Sequence, residues 1–223
     1  MSQTEEASDA AEYARQREQM VKQQIQGRGI TDPAVLAAMR TVPREMFVPS
    51  PYRQLAYDDS PLPIPANQTI SQPYIVGYMI AALALRPGDR VLEIGAGSGY
   101  AAALLSRIVR EVYAVERHLE LVDYARERLA RLGYDNVWIR HGDGTQGWPE
   151  HAPYGGIIVA AGGPAVPEPL KDQLAIGGRL IMPVGHSRHQ QTLVRITRTD
   201  ETTYRDERLV GVAFVPLIGD EGW

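Results

Sequence analysis

The segment that most constrains the fold of this chain is VLEIGAGSGYAAALL, from Val91 to Leu105. An apolar run containing one acid, Glu93, leads into glycines at alternate positions, and an alanine-rich run with helical character follows. A strand, a glycine-rich turn and the start of a helix form the nucleotide-binding corner of open α/β sheets. The segment therefore predicts an α/β fold with a nucleotide-containing ligand at this turn.

Strand-like and helical segments alternate through the second half of the chain. Short apolar runs predict strands at about 90–94, 111–115, 136–140, 156–161 and 179–183. Helical patterns lie between them at about 99–108, 118–132 and 166–175. This alternation is typical of a parallel sheet covered by helices on both faces. Two more strand-like runs close the chain, QTLVRITRT and RLVGVAFVPL.

The N-terminal third has a different pattern. We expect residues 1–10 to be disordered and a helix to run from about Asp9 to Gln26. The residues predicted for its buried side are Tyr13, Met20, Val21 and Ile25. A second helix is predicted at TDPAVLAAMR, where Thr31 or Asp32 acts as the cap.

A proline-rich stretch from Pro43 to Pro73 follows, with little periodicity beyond a turn of helix at REMF. A loop this long inside a compact domain is usually either functional or disordered. Its interleaved apolar residues predict a packed loop that forms a wall of the active site, before a helix at SQPYIVGYMIAALAL. The whole chain, 1–223, is expected to be one domain, with a tail (1–10), a helical cap and substrate loop (11–72) and an α/β core (73–223).

Composition narrows the function classes. The net charge is −4 without a long basic run, which argues against a nucleic-acid partner. The absence of cysteine excludes disulfides and thiolate zinc sites and fits a reducing cytoplasm. The longest apolar run, Tyr74 to Leu85, is too short to cross a bilayer. His186 and His189 are interpreted as solvated loop residues, so we expect a cytoplasmic protein without membrane or metal.

The spacing of the glycines distinguishes between two kinds of nucleotide. Gly95, Gly97 and Gly99 form the pattern E-x-G-x-G-x-G, whereas the dinucleotide fingerprint would require glycine where Tyr100 stands. That last glycine lets a helix pack closely beneath a pyrophosphate. The pattern therefore favours a nucleoside without pyrophosphate over NAD.

Acids at the ends of successive predicted strands support this interpretation. Glu116 can accept hydrogen bonds from both ribose hydroxyls and is expected to be partly exposed. Asp143 can accept from the adenine amine, with Gly142 and Gly144 allowing the ring to approach the backbone. Glu93 can face the amino group of an amino-acid moiety. A nucleoside joined to a cationic amino acid is S-adenosyl-L-methionine.

Several motifs together resemble protein-L-isoaspartate O-methyltransferases. They are LPIPANQTISQPYIV, VLEIGAGSGY, RHGDGTQGW, GGRLIMPVG and FVPL, and the resemblance runs from EQMVKQQIQGRGI to FVPL. The most specific of them are TISQP and the upstream VPREMFVP. The resemblance implies a Rossmann-like, seven-stranded methyltransferase fold with an N-terminal helical cap. It also implies methyl transfer from S-adenosyl-L-methionine, leaving S-adenosyl-L-homocysteine, to the free α-carboxylate of isoaspartyl residues in damaged proteins and peptides.

The resemblance also implies roles for individual residues. Ser71 would contact the substrate carboxylate as the catalytic residue. The other substrate-binding residues would be Thr69, Ile70, Val212, Phe214 and Val215. The cofactor-binding residues would be Glu93, Gly95, Gly97, Ser98, Gly99, Glu116, Arg117, Gly142, Asp143 and Gly144. From the residues alone, Ser71 fits equally well as the cap of the next helix. Many relatives have glycine where this chain has Pro65 and Asn67, so the path of this loop is left open.

The chemistry expected of such an enzyme explains why no general base stands out. An α-carboxyl group with a pKa of about 3.5 is already ionised at neutral pH. The enzyme then has to hold the two reactants close together in the right orientation. We also expect it to act as a monomer. Three alternatives remain: a methyltransferase for a small acid or one dedicated peptide, an NAD-dependent oxidoreductase, and a non-catalytic cofactor-binding module.

Overall fold

The computed structural model describes residues 3–187 and 190–223. Its helices are α1 (Gln3–Met20), α2 (Pro33–Thr41), α3 (Pro73–Leu83), α4 (Tyr100–Ser106), α5 (Leu119–Arg131) and α6 (Glu168–Asp172). Its strands are β1 (Leu62–Ile64), β2 (Gln68–Ile70), β3 (Arg90–Ile94), β4 (Glu111–Glu116), β5 (Val137–His141), β6 (Tyr154–Val159), β7 (Leu174–Ser187), β8 (Gln190–Arg198) and β9 (Tyr204–Val212).

A seven-stranded sheet forms the centre of the molecule in the order β5-β4-β3-β6-β7-β8-β9. The strands from β5 to β7 in this order are parallel, whereas β8 and β9 are added antiparallel. This arrangement confirms the predicted fold class. Chain order reverses between β3 and β6, and open α/β sheets bind ligands at the carboxyl ends of strands at such a point.

The central strand β3 is buried because helices cover both faces of the sheet. Val91 belongs to the hydrophobic cluster that includes residues of α2 to α5, whereas Leu92 and Ile94 belong to the cluster that includes α6. All three side chains are at most 1% exposed. A strand covered on both faces is apolar throughout instead of alternating, which explains the continuous run in the sequence.

The N-terminal helix is longer at its start than expected. It begins at Gln3, so residues 3–10, expected to be disordered, are helical, while Met1 and Ser2 lie outside the described residues. Alanine, glutamate and glutamine are good helix formers, and acids near a helix N-terminus interact favourably with its dipole. The predicted side of the helix is confirmed, since Met20, Val21 and Ile25 are buried and Tyr13 packs against the core.

The proline-rich stretch contains more regular structure than expected. Two short 3₁₀ segments, Arg44–Phe47 and Ser50–Leu55, precede a hairpin of β1 and β2. Ala66 and Asn67 at its tip have φ of 56° and 55°, and the amide of Gln68 donates to the Pro65 carbonyl at 3.2 Å. Positive φ at both central residues is what a type I′ turn requires, and here this turn lies in a loop of three residues, 65–67, between the paired strands. Pro65 therefore precedes the strained positions, and the loop closes without glycine.

Other elements agree with the sequence or differ from it in length: α6 is shorter than predicted, and β7, predicted at about 179–183, spans Leu174–Ser187. Asp32 caps α2, because its Oδ1 accepts from the amides of Ala34 and Val35 at 2.9 and 3.2 Å. α6 spans five residues, whereas the sequence pattern predicts a helix over 166–175. Pro167 and Pro169 occupy its start, and β7 already begins at Leu174.

Within the described ranges, no helix has the length and apolar character that a membrane crossing requires.

Candidate active site

One cavity opens at the carboxyl ends of β3, β4 and β6. Its floor is the glycine loop after β3, and its walls come from the segment around Ser71 and from Phe214 to Ile218. Parallel strands bring their carboxyl ends to the same edge, so residues from distant parts of the sequence meet there. The predicted location of the ligand agrees with this cavity.

The glycine loop has the backbone that the sequence predicts. Gly95, Gly97 and Gly99 all have positive φ, at 84°, 54° and 86°, a backbone conformation that residues other than glycine rarely adopt. A Cβ on Gly99 would lie 3.2 Å from the Ala125 Cβ, so this glycine also lets α4 pack closely on α5. The α4 helix begins directly afterwards, at Tyr100.

Glu116 holds the glycine loop in place. Its Oε2 accepts a hydrogen bond from the Gly97 amide at 3.0 Å, and its Oε1 accepts from the His118 amide at 2.9 Å. The residue is only 4% exposed, so the expectation of a partly exposed carboxylate was wrong. The turn after β4 folds over the side chain, which buries it and supplies two backbone donors. Each oxygen keeps a second lone pair for a ligand hydroxyl.

Glu93 is the least satisfied acid of the cavity. Its side chain is 1% exposed, and no described residue gives its Oε2 a hydrogen bond. Burial raises the pKa of this carboxyl well above its usual range, and the nearby charge of Glu116 raises it further. A buried carboxylate without a partner fits a cationic ligand group, which would supply the missing charge and donors.

Asp143 lies beside the cavity with both oxygens engaged by the protein. Its Oδ1 accepts from the amide and hydroxyl of Thr145, both at 2.8 Å, and its Oδ2 accepts from the Asp220 amide at 2.9 Å. Burial alone would raise the pKa of Asp143, but these donors outweigh it and lower the pKa. Asp143 thus joins the end of β5 to the C-terminal segment, a contact that the sequence did not indicate. Its contact with adenine stays a prediction.

Most of the predicted site residues line this cavity. They are Thr69, Ile70, Ser71, Glu93, Gly95, Gly97, Ser98, Glu116, Arg117, Gly144, Phe214 and Val215. Gly99 and Asp143 are each next in sequence to a lining residue, and the Gly142 amide donates to the carbonyl of the lining residue Glu116 at 3.0 Å. Gly144 packs so closely on Ile94 that a Cβ there would clash. The backbone of this turn therefore forms part of the wall itself.

A second cavity continues from the first, and no residue of the glycine loop is part of its lining. Thr69, Ser71, Phe214 and Val215 line both cavities, and the predicted substrate residue Val212 lines the second. Ser71 therefore stands between the two spaces. The α3 helix has Gln72 as its N-cap, and no side-chain hydrogen bond caps it. The alternative role of Ser71, as a helix cap, is not observed.

Several functional neighbours were missed by sequence reasoning. Arg44 and Gln191 hold the segments of Ser71 and Phe214 through contacts across 27 and 23 residues of sequence. His118 lines the cavity, whereas the Nε2 of His141 lies 2.9 Å from the Arg117 carbonyl oxygen. The motif VPREMF gave a signal for Arg44, but not for its partners.

The sequence predicts no metal site and interprets His186 and His189, near the turn between β7 and β8, as solvated loop residues. Among the described residues, no three His, Asp or Glu side chains are grouped as metal ligands would be. His189 lies outside the described residues.

Comparison with known proteins identifies the family. The model of the family described as Protein-L-isoaspartate(D-aspartate) O-methyltransferase matches residues 15–222. The chain belongs to the protein-L-isoaspartate O-methyltransferase family.

Relatives in this family are similar over nearly their whole length. A protein-L-isoaspartate O-methyltransferase 2 of Pelobacter propionicus is 64% identical, covering 93% of this chain and 92% of that protein. A protein-L-isoaspartate O-methyltransferase 1 of Rhodopseudomonas palustris is 62% identical, covering 97% and 89%.

Among solved structures, the chain is similar to a putative member of the family from Plasmodium falciparum in complex with S-adenosyl-L-homocysteine. The TM-score is 0.79 at 28% identity, and the match covers 91% of this chain and 98% of that chain.

Proposed function

We propose that this protein transfers a methyl group from S-adenosyl-L-methionine to the free α-carboxylate of L-isoaspartyl residues in damaged proteins and peptides. The observation that carries the proposal is the position of Ser71 at the junction of two cavities, opposite the glycine loop and the buried carboxylates. One cavity suits a cofactor and the other a peptide. Membership of the family supports the same activity.

The residues of the first cavity suit S-adenosyl-L-methionine. Glu93 presents an unpartnered oxygen to an ammonium group, and Glu116 keeps acceptor capacity for ribose hydroxyls. The glycine loop brings backbone close to the ligand, and Gly144 leaves no room for a side chain. When bound, the cofactor supplies a methyl group on a sulfonium centre, which is electrophilic without further activation.

The substrate half has to orient a carboxylate that is already charged. The Ser71 hydroxyl donates a hydrogen bond to one carboxylate oxygen and stays a neutral alcohol. The other oxygen would bond to the methyl carbon as the bond between that carbon and the sulfonium sulfur breaks, with S-adenosyl-L-homocysteine as the leaving group. No proton leaves the acceptor, so no residue of this chain has to act as a base. Holding the reactants at near-attack distance can contribute roughly 7–11 kcal/mol.

The second cavity is the proposed binding site of the peptide. It is lined by Thr69, Gln72 and Tyr74 on one side and by the end of β9 on the other. The proposed partners are therefore isoaspartyl proteins and peptides, with no nucleic acid, membrane or metal. We propose that the chain acts as a single domain and as a monomer. We also propose that it acts in the cytoplasm, because its lack of cysteine fits a reducing compartment.

The function is tested with two peptides that differ only at the damaged residue. We expect methylation of the isoaspartyl peptide and little of the aspartyl twin. The extra methylene of the twin moves its carboxylate away, and a misplacement of about 1 Å can lower the rate on the order of a hundredfold. Equal rates would leave a general carboxyl methyltransferase. Binding of the cofactor without turnover of either peptide would indicate a non-catalytic module.

A further inference from the structure

Arg44 is fully buried, and its charge is held by carbonyl groups. Its side chain is 0% exposed. Nε donates to the Ala56 carbonyl at 2.7 Å and Nη2 to the Ser71 carbonyl at 2.9 Å. No hydrogen-bond partner for Nη1 is present among the described residues. A buried cation is costly unless its donors are satisfied, and burial lowers the pKa of this guanidinium, while the nearby Tyr100, Tyr57 and Asp59 favour its charge.

The guanidinium connects three segments that are far apart in sequence. Ala56 follows the second 3₁₀ segment, Ser71 follows β2, and the Arg44 Cζ lies 4.9 Å from the centre of the Tyr100 ring. Tyr100 is the first residue of the helix after the glycine loop. Ser71 and Tyr100 both line the first cavity. Arg44 therefore lies behind the wall where the substrate half meets the cofactor half.

One of the two donated hydrogen bonds holds the Ser71 carbonyl, and the other joins the guanidinium to the Ala56 carbonyl, while Arg44 itself lines neither cavity. A planar guanidinium can direct two N–H groups to carbonyls of different segments at once, which a lysine ammonium on a flexible stem does less well. The Gln72 side chain donates to the Asp59 carbonyl at 2.9 Å, so the next residue is tethered as well. Because the Ser71 hydroxyl is carried by this backbone, its position depends on the tethers.

We propose that Arg44 is a positioning residue for methyl transfer, which sets the place of the Ser71 hydroxyl relative to the glycine loop. The inference rests on the proposed function of Ser71. Arg44 does not line either cavity and so does not touch the substrate or the cofactor. Its effect is on the acceptor half, while the cofactor half keeps its own contacts, such as that of Glu116 with Gly97.

The test compares Arg44→Met and Arg44→Lys with a matched control, Arg179→Met. Arg179 also donates to a backbone carbonyl, that of Leu83 at 3.1 Å, but at the far end of α3 from Ser71. For an isoaspartyl peptide, we expect Arg44→Met to lower kcat about tenfold and raise KM about tenfold, in line with the cost of such a misplacement. Arg44→Lys should recover at least half of this loss on a logarithmic scale.

A second readout concerns the cofactor. In both Arg44 variants the Kd for S-adenosyl-L-methionine, measured by calorimetry, should stay within about threefold of the wild type, since the contact of Glu116 with Gly97 is kept and only the packing against the Tyr100 ring changes on the cofactor side. Arg179→Met should lower the unfolding temperature but leave kcat and KM unchanged. Equal kinetic constants in Arg44→Met and Arg179→Met would overturn the proposal, as would a cofactor Kd that changes as much as kcat/KM.

If Arg44→Met does not fold, Arg44→Lys and hydrogen exchange decide. Amides of 68–72 should then exchange about tenfold faster than in the wild type, while those of 91–94 keep their protection. Unchanged exchange at 68–72 together with unchanged kcat and KM would refute the proposal. Failure of the wild type to methylate the isoaspartyl peptide would instead refute the proposed function.

Discussion

The two halves of the site are built in different ways. The proposed cofactor half stands on the ends of β3 and β4, and the acids proposed to bind the cofactor, Glu93 and Glu116, lie on those strands. The substrate half consists of a short hairpin and a segment after β9, each held by a side chain from elsewhere. Arg44 binds the Ser71 carbonyl, and Gln191 binds the backbone of Phe214. In the proposed function, the sheet would therefore position the cofactor directly, whereas the position of the acceptor would depend on a few long-range hydrogen bonds.

The largest effect is expected from a substitution in the proposed cofactor half. Glu116→Ala removes an acceptor for ribose hydroxyls and the tether of the Gly97 amide. Hydrogen bonds to a charged group contribute about 1.5–3 kcal/mol, so we expect the Kd for S-adenosyl-L-methionine to rise roughly ten- to hundredfold. Because Glu116 is buried, the variant should also lose stability. Isothermal calorimetry and thermal unfolding measure the two effects.

A control for this variant stands on the same strand. Glu111→Ala removes a glutamate at the start of β4, where it pairs with Arg90 at 2.6 Å. Cofactor affinity should not change in this variant. An unaltered Kd in Glu116→Ala would mean that the ribose lies elsewhere.

The next effect concerns the proton on Glu93. Its pKa is raised in the free protein by burial and by Glu116, and a bound cation favours the ionised form. Below the raised pKa, binding therefore releases a proton, so affinity should increase with pH by up to tenfold per unit and level off above that pKa. Calorimetry in buffers of different ionisation enthalpy, kept below pH 7, measures the proton release.

The amide variant supplies the comparison for this effect. Glu93→Gln keeps the size of the side chain but cannot titrate, so its affinity should not depend on pH in this range. The same pH dependence in Glu93→Gln would assign the proton to another group.

The smallest effect is expected in the substrate half. Gln191 accepts from the Phe214 amide at 2.8 Å and donates to the Phe214 carbonyl at 3.3 Å. Gln191→Met keeps the length of the side chain and removes both bonds, each worth about 0.5–1.5 kcal/mol. We expect KM for the isoaspartyl peptide to rise about three- to tenfold with an unchanged cofactor Kd. A shift in cofactor Kd alone would show that the two halves are not separable in this way.

The same difference between the halves explains what the sequence could predict. Periodicity and glycine positions indicate where the strands end. The amino-acid pattern alone therefore predicts that Glu93, Gly97 and Glu116 lie at one edge of the sheet. It does not reveal Arg44 and Gln191, because a contact between a side chain and a distant backbone carbonyl leaves no local pattern. The burial of Glu116 under the Gly97 and His118 amides, and the hydrogen bond from the Asp220 amide to Asp143, depend on the path of the backbone and leave no local pattern either. TISQP and FVPL indicated the substrate half only through the family resemblance.

The central claim is that this protein orients an ionised acceptor and needs no base. Rapid-quench kinetics with saturating cofactor and a histidine-free isoaspartyl peptide test it most directly. The rate of methyl transfer should be nearly flat from about pH 6 to 8.5, between the titration ranges of carboxyl groups and lysines. Ser71→Ala should lower this plateau without tilting it. A tenfold rise per pH unit below pH 7 that disappears in His118→Gln, the variant of the histidine lining the cavity, would contradict the account.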